Sequence, residues 1–406
     1  VETVAQKNNG IAAAPIAIEA GQTVSGAAAR LRLGIASIGT WVLLSVAGLW
    51  AGADRWIADL IGNGFIDAIG TIGLFLLAHA LIGAPFDIVG GLLLPRRTGT
   101  NTGTPSKFFR GWTRSLALHT GLLWVYAVAL YAAATAGGYW LAALTAACGL
   151  MLHLVGQRFL ATTIGTAPRQ TRDSDTGKIA ARALRFASAD RACSGGIVGW
   201  PGMDQVVLPS AWFGLLPVQQ LELMASRRHA AIDSGLRSRG VWLAAGWNLG
   251  GFMLVAHLVG LSGESVAEIF RLAFAMSLWT FLGLLLLPTP SRMGTHAVDR
   301  WLLDHSNCRS GDINELARSM SRLQDEEIHR SRAVESIFHP VPAAANRATT
   351  RATTRATTRA AKPSRWAAWN AARTMLVLSL PTLGLLSRAV HCNIGRPDLW
   401  MMPPAD

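Results

Sequence analysis

The chain has 406 residues, 51% of them hydrophobic, and a mean hydropathy of +0.32. Values this high exclude an ordinary soluble enzyme and point to a protein that crosses a membrane repeatedly. The formal net charge of +13 would suit a nucleic-acid partner, but no aromatic-basic binding module accompanies it.

A helix needs roughly 20 apolar residues to cross a bilayer core. Six segments qualify: Ile35–Ala53, Phe65–Ala84, Leu116–Ala136, Tyr139–Val155, Val241–Leu261 and Val266–Leu287. The stretch "TAGGYW" makes a tight turn between the third and fourth. Basic residues then set orientation. The loops after spans two and four and the segment after span six are rich in arginine. The loop after span one has only Arg55, that after span three has no charge, and that after span five has Glu264. Both termini and the large loops are therefore expected in the cytoplasm, with the bilayer as a partner. A basic chain of this kind, with no basic stretch and apolar core of a signal peptide in its first thirty residues, fits a bacterial inner (plasma) membrane.

The expected organisation is a membrane half with four spans (1–155), a cytoplasmic region (156–240), two spans (241–287), a cytoplasmic helical region (288–345), a linker (346–365) and a C-terminal apolar segment with a tail (366–406). The fold class is mainly α: a polytopic helical membrane protein with about six spans and a small β-hairpin or edge-strand element. That element is expected at "DQVVL", between Gly and Pro punctuation. A helix should follow from about Pro217. "INELARSMSRLQDEEIHRSRAVESIF" has helical spacing, with Glu326, Glu327 and His329 on a solvated face. "NRATTRATTRATTRAAKPS" offers no apolar face and reads as a disordered linker. The run Met375–Leu386 is short and broken by Pro381, so it should be buried, re-entrant or interfacial rather than a seventh span. The closing His391-Cys392 pair reads as packing or anchoring. The four cysteines, Cys148, Cys193, Cys308 and Cys392, form no CxxC pair, so neither a zinc ribbon nor a dithiol site is indicated.

"DQVVLPSAWFGLLPVQQLELMASRRHAAI" resembles the lead-in to the zinc helix of membrane zinc metallopeptidases of the CAAX prenyl protease type. "SRMGTHAVD" (Ser291–Asp299) lies where such proteins carry a downstream glutamate ligand. "PFDIVGGLLLPRR" and "IFHPVP" resemble two further segments, so the likeness runs from about Pro85 to Pro342. It implies an HExxH helix, in which two histidines bind Zn²⁺ and the glutamate activates the bound water. Aligned without a gap, the ligand positions hold Arg227, Ala231 and Thr295, and Arg228 stands at the catalytic glutamate's place. Asp299 matches the family's aspartate. Two guanidiniums would repel a dication. In this register no metal cofactor is expected.

A register shifted by two residues gives His229 and Asp233 as ligands on one helix face, with His296 or Asp299 as a third. Ala230 would then replace the base. Zinc is the cofactor if this alternative holds; a plain His229–Asp233 pair is the simpler account.

Three functions compete. The first is an inactive relative that holds a protein or peptide partner along a strand edge near Met203–Ser210. Its binding residues would be Asp204, Gln205, Val206, Val207, Arg227 and Arg228. The second is an active zinc metalloendopeptidase in the shifted register. The third is a transporter or channel using His119, His153 and His257, which lie within spans. Asp87, at the end of span two, is a further intramembrane ionisable group. Glu264 and Glu268 are expected at the outer interface.

Overall fold

The long apolar runs fold as helices, and their order follows the sequence. A computed structural model describes residues 26–59, 64–99, 104–164, 180, 183–186, 193–324, 330–347 and 364–400. Five helices are long and apolar enough to cross a membrane. They are α1 (Gly26–Ala51), α3 (Phe65–Ile88, continued by a π-helical turn over Val89–Leu93), α5 (Pro105–Ile164), α8 (Leu236–Val259) and α9 (Ala267–Leu286). A short α2 (Ala53–Ala58) follows α1, and α4 (Leu94–Arg97) follows the π-helical turn.

Helix α5 is two legs. Gly137 (φ −152°, ψ 20°) and Gly138 (φ 63°, ψ −154°) break it, at the turn expected between the third and fourth spans. The fold therefore has six apolar legs. Helix α1 packs on α9 and α3, α8 packs on α9 and α5, and α3 packs on α5. The legs thus close a ring. Leu43, Leu81, Leu152 and Leu258 point outward and are exposed, as a lipid-facing wall requires.

Beyond one end of the ring lies a second body. A three-stranded sheet of β1 (Leu184–Phe186), β2 (Gly196–Val198) and β3 (Gln205–Pro209) has the order β1-β3-β2. Helices α6 (Trp212–Leu215), α7 (Val218–Asp233), α10 (Pro288–His305), α11 (Ser310–Leu323) and α12 (Arg332–Phe338) complete it. Trp212, Met224, Val298 and Leu316 are fully buried in its core. The Pro217 cap starts α7 where it was expected.

The C-terminal segment behaves differently from a span. It forms one regular helix, α13 (Ala371–Leu378), then successive turns to Trp400. Every residue from Ala367 to Val390 is buried. Of the three outcomes left open for Met375–Leu386, the structure selects burial: the segment lies inside the ring. Glu326, Glu327, His329 and most of the RATT repeat fall outside the described residues.

Gly138 holds a backbone conformation that side-chain-bearing residues avoid at a cost of about 1–3 kcal/mol. Gly138→Ala should lower the thermal midpoint of the detergent-purified protein. Gly121→Ala should not, because Gly121 is helical with open space around it. Equal midpoints in the two variants would contradict this turn.

Candidate functional site

Helix α7 carries Arg227 and Arg228 as neighbours, so their side chains leave the helix about 100° apart. Both are buried, at 1% and 0% exposure. Arg227 faces α10, where its Nε donates to Asp299 Oδ1 at 2.9 Å. Arg347 Nε lies 3.8 Å from the other oxygen of Asp299. Arg228 faces the sheet. Its Nη1 donates to the carbonyl of Val207 and its Nη2 to that of Ser194. Its guanidinium lies 5.5 Å from the Trp212 ring centre, within reach of the ring's negative face.

A third guanidinium extends the set. Arg237 Nε is 3.6 Å from Asp204 Oδ1, and its Nη2 donates to the carbonyl of Ile197 at 3.4 Å. Burial pushes the Asp204 carboxyl up, and Arg237 beside it opposes that shift only in part. Arg292 closes the end of α12: its Nη1 donates to the carbonyls of Glu335, Ser336 and His339. Arginines here do what helix caps and strand partners do elsewhere, satisfying buried carbonyl oxygens.

The other positions that the resemblance singled out are also engaged within the protein. Ala231 is fully buried. The Thr295 hydroxyl donates back to the carbonyl of Ser291 in its own helix at 3.2 Å. The shifted register is not assembled: His229 and His296 are half-buried, Asp233 is exposed, and Asp299 is engaged by Arg227. Among the described residues no three His, Cys, Asp or Glu side chains come together as a metal site.

Two expectations about binding need correction. Strand β3 is the centre of the sheet, not an edge. Val207 is paired with Leu184 on one side and Gly196 on the other, so its main chain has no free side for a partner strand, while Gln205 and Val206 pair with Val198 and Ile197 of β2, and Asp204 beside them is turned to Arg237. Arg227 and Arg228 are buried and cannot touch a partner directly. Their role is internal.

The intramembrane histidines sort differently from the sequence reading. His119 and His153 are buried inside the ring, His119 Nε2 lying 2.8 Å from Ser387 Oγ and His153 Nδ1 3.2 Å from the Tyr126 hydroxyl. His257 is exposed. His79, which the sequence did not single out, is the third buried histidine, with Nε2 3.1 Å from the carbonyl of Leu385. Asp87 binds Arg388 at 3.1 Å. Glu268, in the first turn of α9, is buried and accepts from Ser262 N, Ser262 Oγ and Gly263 N, fixing the α8–α9 turn. Glu264 is exposed.

No protein-family model and no curated protein matches the chain. A solved structure does. The fold matches that of S. mikatae Ste24p with a TM-score of 0.56, covering 80% of this chain and 99% of that one, at 10% sequence identity. An identity this low establishes the shared fold alone.

Truncating one member of a buried ion pair leaves the other charge stranded, a loss of roughly 3–5 kcal/mol. Arg227→Ala should therefore lower the thermal midpoint sharply. Arg239→Ala, on an exposed residue of α8, should change it little. Similar midpoints would remove Arg227–Asp299 as a structural bond.

His339 makes a pH test. Its ring packs on His391, with centres 4.8 Å apart. Burial, with Arg330, Arg373 and Arg292 nearby, lowers its pKa from 6.5 to about 3. The unfolded chain thus binds a proton that the folded one refuses, and stability falls as pH drops from about 6.5 towards about 3. His339→Phe should flatten that part of the melting-temperature profile. A profile parallel to wild type would contradict it.

Proposed function

We propose that this multi-pass membrane protein is a catalytically silent relative of the CAAX-protease-type zinc metallopeptidases, retained to bind a protein or peptide partner. Ste24p is of that type, and the shared fold agrees with the motif order in the sequence. One observation carries this reading: Arg227 and Arg228, which the ungapped resemblance aligns with a zinc ligand and the general base, are buried and each bonded to the protein itself.

Zinc does not fit this donor set. A hydrolytic site needs three neutral or anionic ligands and an open position for water. Arg227, Ala231 and Thr295 offer no such ligand, and Asp299 is neutralised by guanidinium. No hydrolytic step can be written through these residues. The basic excess on the loops after spans two, four and six fits a cytoplasmic placement in a bacterial inner membrane, where exposed arginines such as Arg239 would meet acidic surfaces or anionic headgroups.

Transport finds less support, because the ring interior is filled by the chain's own C-terminal segment. The test is a peptidase assay on detergent-purified protein, with a prenylated CAAX peptide and an unfolded protein as substrates, with and without added Zn²⁺. No cleavage is expected, and a chelator should leave the melting temperature unchanged. Chelator-sensitive cleavage would overturn the reading.

A further inference from the structure

We propose that the turn between β2 and β3, residues 199–204, is a membrane-interfacial anchor. It carries Met203 into the headgroup layer of the leaflet beside the second body and so holds the sheet against the bilayer. The partner is the lipid surface. The inference goes beyond the proposed function and does not rest on it.

The turn is built to hold one shape. Pro201 and Gly202 stand at its two central positions, Gly202 has φ 92°, and Met203 N donates to the Trp200 carbonyl at 2.8 Å. Proline first and a positive-φ glycine second is the composition of a type II turn. Gly202 N also donates to Asp204 Oδ2 at 3.1 Å. Met203 comes off this turn 79% exposed.

Two spans fix the height of the turn. Gly199 N donates at 3.2 Å to Gln157 Oε1, on the second leg of α5. Trp200 meets Trp242 of α8 edge to face, with ring centres 5.0 Å apart, and packs on the cluster that contains Leu154 and Val241. Asp204 is held by Arg237 of α8. At about 1.5 Å per residue, Gln157 lies roughly 27 Å along its leg from Tyr139, and Trp242 lies roughly 26 Å from Val259 at the far end of α8. The hydrocarbon core is about 30 Å thick. Trp140, exposed at the bend of α5, marks the far boundary, since tryptophan rings settle at interfaces. The turn is therefore level with the near one.

A single exposed methionine would need no explanation. Here the exposed apolar groups continue the lipid-facing wall. Trp242 is 49% exposed, and Phe159, just beyond Gln157, is 72% exposed. Leu152 and Val155, nearer the bend on the same leg, are exposed as well. Arg158 and Arg239 are exposed close in sequence to Phe159 and Trp242. Basic side chains at that level reach the phosphates while their stems lie along apolar surface. Met203 thus extends an apolar surface that must face lipid, on a turn that two spans hold in place.

The test uses the full chain in nanodiscs of phosphatidylcholine and phosphatidylglycerol. Cys148→Ala, Cys308→Ala and Cys392→Ala leave Cys193, which is buried. A nitroxide is attached in turn at Met203→Cys, at Leu152→Cys on the lipid-facing wall, and at Asp304→Cys, exposed near the end of α10. Electron paramagnetic resonance compares collisions with oxygen, which partitions into the bilayer, and with a nickel chelate, which stays in water. The ratio at 203 should be shifted from that at Asp304 towards that at Leu152, to a depth of about 5–10 Å below the headgroup boundary, where interfacial apolar groups lie. A ratio equal to that at Asp304 would overturn the anchor and leave the turn to a protein partner. Either result leaves the catalytic reading untouched, since that rests on Arg227 and Arg228.

Discussion

Buried arginines must be given acceptors, and the extramembrane body is organised around that need. A guanidinium carries five donors and stays charged at any accessible pH. Left unpaired in a low-dielectric interior it would cost several kcal/mol. Arg227 takes Asp299, Arg228 takes the carbonyls of Val207 and Ser194, and Arg237 takes Asp204 and Ile197. These bonds fasten α7 to α10, to β3 and to the segment just before β2, and α8 to β2. A dication and its ligands could tie the same elements together. Here protein cations perform the joining.

The same principle governs the membrane ring. Asp87 on α3 and Arg388 on the C-terminal segment would each be untenable alone at membrane depth. Together, with main-chain carbonyls around them, they lock an irregular segment into the centre of six legs. The outer walls are greasy, and the polar bonds face inward. The two bodies therefore share one device, a buried arginine bridging elements distant in sequence, used by Arg227, Arg228 and Arg237 around the sheet and by Arg388 inside the ring.

The spans were legible because an apolar run of about 20 residues has few alternatives, and Gly137-Gly138 marked the bend between two of them. The resemblance drew attention to Arg227 and Arg228, and the structure shows both of them buried. The bonds those arginines make were not legible, since Asp299 and Ser194 are distant in sequence. The sheet order was also hidden: β1 and β2 have three residues each, too few for an alternation to declare itself, so β3 read as an edge. His79 and His257 look alike in a hydropathy trace, and only the rotation of their helices puts one inside and the other outside. The C-terminal segment was the hardest to place. Pro381 and a short apolar run say only that it is not a span; the glycines that admit it lie on other helices.

The measurement that tests the central claim most directly is elemental mass spectrometry of the detergent-purified protein. It would be run beside a variant in which Arg227→His, Arg228→Glu, Ala231→His and Thr295→Glu place an HExxH-type ligand set at the positions the resemblance assigns. If guanidiniums have taken the place of the metal, wild type carries near-zero zinc, and any zinc gained belongs to the variant. Stoichiometric zinc in the wild type would contradict the account.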